Sequence, residues 1–223
     1  MKMRKAIKCL TLSLGLLMTA TNAYSAAYGV SLEWKTDDDQ IIYEGMNAQR
    51  AAFSNLVKEG IIHDLYVRHS TVNDKQFPII NFVMEADSAD QVLKRLEPLP
   101  FFENNVVSVN QVRSIGTKWL DKEIIQNNYA LELTWIKPQQ QLLVDQILGL
   151  DLQKVVNWNA TGVVTSAYLD IQQFDGNLKR PTYSIAIQAK DETQADEFAQ
   201  ELEAVKSGNA SYSIMYLGYK LNL

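Results

Sequence analysis

The residues best suited to chemistry in this 223-residue chain are ionisable side chains on segments that alternate between polar and apolar positions. Glu33 lies on the polar face of one such segment, and Asp64 and Tyr66 share one face of another. Burial raises the pKa of a carboxyl group, and a carboxylate with a pKa near neutrality can serve as a general base. A pocket built from these three residues would therefore support acid–base chemistry.

Further side chains could complete this site. His63 adjoins Asp64, and Arg68 would form an ion pair with a substrate carboxylate. Asn81 and Glu132 lie on the polar faces of other alternating segments. We assign catalytic roles to Glu33, His63, Asp64 and Tyr66, and substrate binding to Arg68, Asn81 and Glu132.

Structural roles for the same residues stay open. Glu33 and Glu132 could face solvent or form ion pairs. The two histidines, His63 and His69, would lie about 20 Å apart on one strand, too far to share a metal ion. The acidic run 37–39 lacks the spaced ligands of a calcium loop, and we expect it to be a turn that caps the next helix. We predict no metal ion and no cofactor.

The first 26 residues are typical of a secretory signal peptide. Four basic residues precede an apolar run, Cys9–Ala20, which is followed by small residues. About 12 apolar residues are too few to span a bilayer, which needs roughly 20. We expect cleavage near Ser25–Ala27, a secreted or periplasmic protein, and no membrane insertion after cleavage. The alternative is a buried N-terminal helix.

Removal of this segment makes the chain more acidic. The full chain has 21 basic and 26 acidic side chains. Without the four N-terminal cations, 17 basic side chains remain, and the net charge becomes −9. Such a charge disfavours nucleic-acid binding. Cys9 is the only cysteine, so the processed chain has no disulfide, thiolate metal site or cysteine nucleophile.

The remaining chain contains similar segments in the same order. Tyr28–Trp34 matches Tyr129–Trp135, and Gly60–Tyr66 matches Gly162–Tyr168. Two later matches follow with slightly larger offsets, up to 106 residues. The shared order indicates a duplication. We predict a first repeat at 27–116, a linker at 117–127 and a second repeat at 128–223.

Each repeat has the pattern of a βαββαβ unit. The first helices are expected at Gln40–Lys58 and Pro138–Trp158, and a short helix at Trp119–Ile125 in the linker. This element order is that of the ferredoxin-like plait. The predicted fold class is α+β, with two tandem ferredoxin-like repeats packing sheet to sheet as an intrachain α+β barrel.

One stretch carries a family resemblance. Leu96–Glu103, followed by Val106–Val109, resembles muconolactone isomerase and its relatives. These belong to the dimeric α+β barrel group, with YciI-like proteins and small monooxygenases. The resemblance covers most of residues 28–116 and implies that a base in the barrel moves a proton beside a carbonyl group. The second repeat lacks the matching stretch.

Three functions are consistent with these features. The first is an exported small-molecule-binding protein or metal-free enzyme similar to muconolactone isomerase. The second is a non-catalytic module that binds another exported protein or a second copy of itself. The third is a haem-binding or monooxygenase-like barrel. A solvent-open pocket would favour the first, and a filled barrel with Glu33 and Glu132 at its rim would favour the second.

Overall fold

A computed structural model of the protein describes residues 25–122 and 127–221. The predicted signal peptide up to residue 24 lies outside the described residues, as do residues 123–126 of the predicted linker. None of the helices within the described ranges is long and apolar enough to span a membrane.

The first half of the chain begins with a strand and continues through three helices and three more strands. Its elements are β1 (Ala26–Trp34), α1 (Asp39–Lys58), β2 (Ile62–Val72), β3 (Lys75–Ala86), α2 (Ala89–Leu96), α3 (Pro100–Glu103) and β4 (Val107–Asp121).

The second half has a similar element order with one additional two-residue strand and a short 3₁₀ turn. Its elements are β5 (Asn127–Trp135), β6 (Gln139–Gln140), α4 (Gln141–Thr161), β7 (Val164–Phe174), β8 (Leu178–Gln188), α5 (Glu192–Gln200), α6 (Glu203–Lys206) and β9 (Ala210–Leu221).

The strands form one antiparallel sheet that closes on itself. Its order is β5-β9-β2-β3-β1-β4-β7-β8, with β8 also paired to β5 and β6 at the margin of β8. The α+β barrel architecture predicted from the sequence is therefore present. The two halves are joined by strand pairing along two seams, whereas the sequence predicted two sheets in face-to-face contact.

The two seams have the same register. At one seam, Thr117 of β4 pairs with Leu169 and Lys118 with Tyr168. At the other, Tyr219 of β9 pairs with Val67 and Lys220 with Tyr66. Each residue of the first seam thus corresponds to a residue 102 positions away in the second.

Two glycines allow the strands to meet at these seams. Gly116 has φ +85°, and a Cβ added there would lie 2.2 Å from the carbonyl oxygen of Leu169. Gly218 has φ +96°, and its added Cβ would lie 2.2 Å from the carbonyl oxygen of Val67. Because L-residues rarely adopt positive φ and a Cβ would overlap the facing backbone, both positions require glycine.

The helices cover the outside of the barrel. Phe53 of α1 and Val92 of α2 pack with Leu32 and Phe82 of the first half. In the second half, the corresponding core lies between α4, α5 and the strand residues Leu131 and Leu133. Alternate strand residues therefore face the helices, and the others face the barrel interior.

A polar side chain on the long helix of each half caps a short helix. The amide oxygen of Gln49 in α1 accepts a hydrogen bond from the backbone N–H of Phe101 at 2.8 Å. The buried carboxylate of Asp151 in α4 accepts from the backbone N–H groups of Glu203 and Ala204. These contacts satisfy backbone donors that have no partner within the short helices.

Some element boundaries differ from the sequence prediction. The predicted short helix in the linker is wrong at Trp119–Asp121, because these residues extend β4 and pair with β7. Helix α4 starts at Gln141 and not at Pro138, because Gln139 and Gln140 form β6 against β8. The acidic run does cap α1: the side chain of Asp38 accepts from the N–H groups of Gln40 and Ile41.

Candidate functional site

Side chains fill most of the barrel interior. Tyr66, Ala130, Ala186 and Leu217 form one buried cluster within it. The cavity left among the interior side chains has a volume of about 40 Å³. That is enough for a few water molecules and too little for an organic ligand of ordinary size.

Asn81 provides a buried acceptor in this inner cavity. Its Nδ2 donates to the carbonyl oxygen of Leu217 at 3.0 Å, which fixes the orientation of the amide. Its Oδ1 is buried and has no hydrogen-bond partner in the part of the chain that the structure describes. A water molecule in the cavity would satisfy it.

A wider, solvent-open cavity adjoins the inner one. We call it the vestibule; its volume is about 360 Å³, within the range of small-molecule sites. Its walls are rich in hydroxyl groups from four strands. The lining consists of Arg113, Ser114, Ile115, Glu132, Thr134, Thr182, Tyr183, Ser184, Ser211, Tyr212 and Ser213.

Arg113 and Glu132 form an ion pair where the two cavities meet. Nη1 of Arg113 contacts Oε2 of Glu132, and both residues line both cavities. The pairing register places Glu132 between Ser184 of β8 and Ser213 of β9. Burial lowers the pKa of Arg113 from its ordinary value, although the guanidinium stays charged at neutral pH.

A second set of charged side chains lies around Asp64 at the other end of the interior. The side chain of Asp64 is 1% exposed and lies 3.2 Å from Nζ of Lys118 and 3.0 Å from Nζ of Lys220. The hydroxyl of Tyr168 donates to its other oxygen. Both ammonium groups also contact Asp121, at 2.6 Å each. Two carboxylates and two ammonium groups thus balance one another, and we call these residues with Tyr168 the Asp64 cluster.

The surroundings of the cluster change several pKa values. Burial, followed by the nearby charge of Asp64, raises the pKa of Tyr168 far above its usual range. Burial also raises the pKa of Tyr66 well above normal, with Asp64 contributing. Burial opposes the ionisation of Asp121, but hydrogen bonds from Lys118 and Lys220 outweigh it and lower the pKa of that carboxyl. Both tyrosines therefore stay protonated.

The residues predicted to be catalytic do not form one pocket. Glu33 is exposed near the end of β1 and accepts from the Ser108 hydroxyl at 3.1 Å. Asp64 and Tyr66 are buried in the interior, and the Tyr66 hydroxyl lies 2.9 Å from that of Ser166. The predicted pocket of Glu33, Asp64 and Tyr66 is thus wrong, because β1 lines the inner cavity only as far as residue 31 and Glu33 lies beyond it at the rim.

Of the other predicted site residues, His63 and Arg68 line neither cavity, whereas Asn81 and Glu132 share the inner one. His63 lies beside Glu85, with 3.2 Å between its Nε2 and Oε1 of Glu85. Arg68 donates from Nη2 to the carbonyl oxygen of Leu32 at 2.8 Å, so part of its binding capacity is used internally. Asn81 lines the inner cavity, and Glu132 lines both cavities.

Sequence reasoning missed several residues of these sites. Tyr168 could have been found, since it matches Tyr66 in the internal comparison. Lys118 fell in the predicted linker, and Lys220 is its counterpart 102 residues later. Arg113 lies on a strand with weak alternation, so its inward direction was not apparent from the sequence.

The described residues offer no evident centre for a metal ion. Within 25–122 and 127–221, no group of three or more His, Cys, Asp or Glu side chains is placed to hold one. His63 and His69 line neither the inner cavity nor the vestibule. The hydroxyls of Tyr183 and Tyr212 in the vestibule lining already donate to Asp151 and Asp196, each at 2.6 Å.

Comparison with known proteins gives structural likeness alone. No family model matches the chain, and no curated protein matches it. A haem-binding protein from Thermus thermophilus matches with 9% identity and a TM-score of 0.51, over 89% of this chain and 91% of that one. A mutant chlorite dismutase from Candidatus Nitrospira defluvii matches with 8% identity and a TM-score of 0.50, over 89% and 92%. At such low identity, these matches show a shared ferredoxin-like barrel fold.

Proposed function

We propose that this protein is an exported small-molecule-binding protein whose site is the vestibule. The observation that carries the proposal is a solvent-open cavity of about 360 Å³ with an arginine–glutamate ion pair at its inner end. A cavity of this size with a few convergent polar groups is the usual form of a ligand site. Glu132, which the sequence assigns to ligand binding, belongs to this site.

The Asp64 cluster supports a structural role more than a catalytic one. Each carboxylate contacts both ammonium groups, and Asp64 also accepts from Tyr168. A general base needs a free lone pair within reach of a substrate proton. Asp64 is buried and surrounded by donors, so we assign binding, without turnover, as the activity.

A haem-binding function has weaker support. Because the chain is similar in fold to a haem-binding protein and to a chlorite dismutase, we tested whether its cavities fit haem. Haem iron is usually held by His, Cys, Met or Tyr. The inner cavity is lined by Met215 and two tyrosines, but its volume of about 40 Å³ is too small for haem. In the vestibule, the hydroxyls of Tyr183 and Tyr212 already donate hydrogen bonds to Asp151 and Asp196 and are not available as iron ligands. Neither cavity therefore fits the group.

A protein-interaction function is the second candidate. The sequence associated this alternative with a filled barrel interior and with Glu33 and Glu132 at its rim. Most of the interior is filled and Glu33 lies at the rim, whereas Glu132 lines both cavities. Several apolar side chains near and on α4 are exposed, notably Ile136 at 63%, Leu142 at 70% and Leu150 at 60%. Exposed apolar patches of this kind often mark contact surfaces.

We also propose that the chain arose by duplication of one ferredoxin-like unit, with repeats at 27–116 and 128–223. Its support is the equal register of the two seams and the pairs of matching residues 102 apart. These include Gly116 and Gly218 at the seams and Gln49 and Asp151 at the helix caps. The seam register, the seam glycines and the helix caps thus agree in the two halves, which favours duplication over chance.

Export is proposed on the N-terminal sequence, with cleavage before Ala26. Ala27 is 5% exposed and pairs with Glu85 and Gly116 in β1. Cleavage after Ala27 would remove the first two paired residues of this strand. We therefore expect Ala26 at the N-terminus of the exported protein, which mass spectrometry of the purified protein will measure.

The vestibule proposal is tested by native mass spectrometry of the exported protein, with Ser213→Trp filling the vestibule from its rim. We expect a bound mass that is lost on denaturation in the wild type and absent in S213W. Thr71→Trp, on an exposed part of β2, is the control and should keep the bound mass. Equal retention in S213W and the wild type would contradict the proposal.

A further inference from the structure

The geometry of the ion pair points to a particular ligand class, and this inference rests on the proposed binding function. We infer that the vestibule binds a small zwitterion, a molecule with one ammonium and one carboxylate group. The ammonium would contact Glu132 and the carboxylate would contact Arg113.

Arg113 and Glu132 have fewer charged partners than the members of the Asp64 cluster. In the Asp64 cluster, each of the four charged groups contacts two of opposite sign. Arg113 and Glu132 are each paired once among the described residues, through Nη1 and Oε2. A guanidinium has five N–H donors, and a carboxylate has a second oxygen, so both groups keep free binding capacity toward the cavity.

Charge balance selects the ligand. A lone anion bound to Arg113 would approach the carboxylate of Glu132, and like charges at such range repel. A lone cation bound to Glu132 would likewise be repelled by the guanidinium of Arg113. A zwitterion can pair with both groups at once and leaves the net charge of the site unchanged. An uncharged ligand would leave the free capacity of both groups unused.

The surroundings favour a small and polar ligand. Ser184 and Ser213 flank Glu132 on the neighbouring strands, and Ser114 follows Arg113. Hydroxyl groups both donate and accept, so they can bind either end of the ligand. The volume of about 360 Å³ lies near the lower end of the range for small-molecule sites, which favours a molecule of amino-acid size.

Titration calorimetry with matched probes tests this inference. The probes are L-leucine, 4-methylpentanoate and 3-methylbutylamine, and a second series of 4-aminobutyrate, butyrate and propylamine. We expect at least one zwitterion to bind with a Kd at least tenfold lower than both of its singly charged analogues. Glu132→Gln should abolish the advantage over the carboxylate, and Arg113→Gln the advantage over the amine.

The outcomes separate this inference from the binding function. Equal affinities for a zwitterion and its analogues would overturn the inference and keep the site. A bound mass in the wild type that S213W loses, with no binding of any probe, would also overturn the inference alone. No probe binding, together with no mass difference between the wild type and S213W, would overturn both. Unfolding midpoints of E132Q and R113Q within the wild-type range will show that these variants fold.

Discussion

The hydroxyl of Tyr168 donates to the buried carboxylate of Asp64, which lies 104 residues earlier in the chain. The corresponding contact joins Tyr66 and Ser166 at 2.9 Å, with the two halves exchanged. Each tyrosine therefore reaches across the barrel to the position two residues before the other tyrosine. One contact involves a charge and the other does not, so the two sites differ in energy although they match in geometry.

Replacement of Asp64 will measure the charged contact. Asp64→Ala leaves the buried ammonium group of Lys220 and the half-buried one of Lys118 with Asp121 as their remaining carboxylate partner. Removing one partner of a buried ion pair typically costs about 3–5 kcal/mol. We therefore expect a decrease of about 3 kcal/mol in the free energy of unfolding, measured with guanidinium chloride.

Ser166→Ala is the matched control for that experiment. It removes the corresponding hydrogen bond of Tyr66, which involves no charge and is worth about 1 kcal/mol. Equal destabilisation by D64A and S166A would show that the ion pairs of Asp64 add nothing to stability. Loss of ligand binding in D64A at unchanged stability would instead give Asp64 a functional role.

At the two seam glycines, adding a single methyl group should lower the free energy of unfolding substantially. Gly116→Ala and Gly218→Ala each place a Cβ against facing backbone at positive φ. Strain of this kind costs roughly 1–3 kcal/mol, so each variant should unfold at a lower denaturant concentration.

Gly149→Ala provides the control for the glycine series. Gly149 lies in α4, and an added Cβ there meets no atom within 4 Å. Because alanine favours helices over glycine, we expect G149A to stabilise the protein by about 0.5–1 kcal/mol. A destabilising G149A, or neutral G116A and G218A, would contradict the packing described for these positions.

Buried tyrosines predict a loss of stability in alkali. The pKa values of Tyr66, Tyr168 and Tyr183 are raised, mainly by burial, so these side chains stay protonated in the folded state. In the unfolded chain, tyrosines lose their protons near pH 10. The stabilisation is therefore complete below about pH 10 and decreases as the pH rises above it, by about 1.4 kcal/mol per pH unit for each such tyrosine.

Tyr66→Phe isolates one of these contributions. Phenylalanine has no proton to lose, so this variant should lose less stability than the wild type between pH 9 and 11. The difference in unfolding free energy between the wild type and Y66F should consequently shrink as the pH rises. A difference that stays constant over this range would mean that Tyr66 ionises equally in both states.

Replacing the capping residues Asp151 and Gln49, which occupy corresponding positions, should lower the stability of the protein by unequal amounts. Asp151→Ala removes a buried carboxylate that accepts from two backbone N–H groups and from the Tyr183 hydroxyl. Gln49→Ala removes one acceptor of the Phe101 N–H. Because three buried donors lose a partner in D151A and one does in Q49A, we expect about 3 kcal/mol against about 1 kcal/mol. Thermal unfolding of both variants will measure this ratio.

Local sequence patterns predicted most of the secondary structure. The alternation of Tyr28, Val30 and Leu32 indicated β1 and its helix-facing side, because successive strand side chains point to opposite faces. The register of the seams was not predictable in the same way. The local pattern predicted a helix that includes Trp119–Asp121, and the strand conformation of these residues depends on pairing with β7.

By itself, the sequence determined most of the elements, the similarity of the two halves, the placement of Asp64 and Tyr66 on one face of their strand and that of Asn81 on a polar face. Those properties depend on neighbours in the chain and on a period of two residues. Only the tertiary structure decided that Asp64 is neutralised by Lys118 and Lys220. It also decided that Arg113 forms its ion pair with Glu132 and not with Glu33. These contacts join residues 19 to 156 positions apart, and the closure of the barrel, which no local pattern encodes, brings them together.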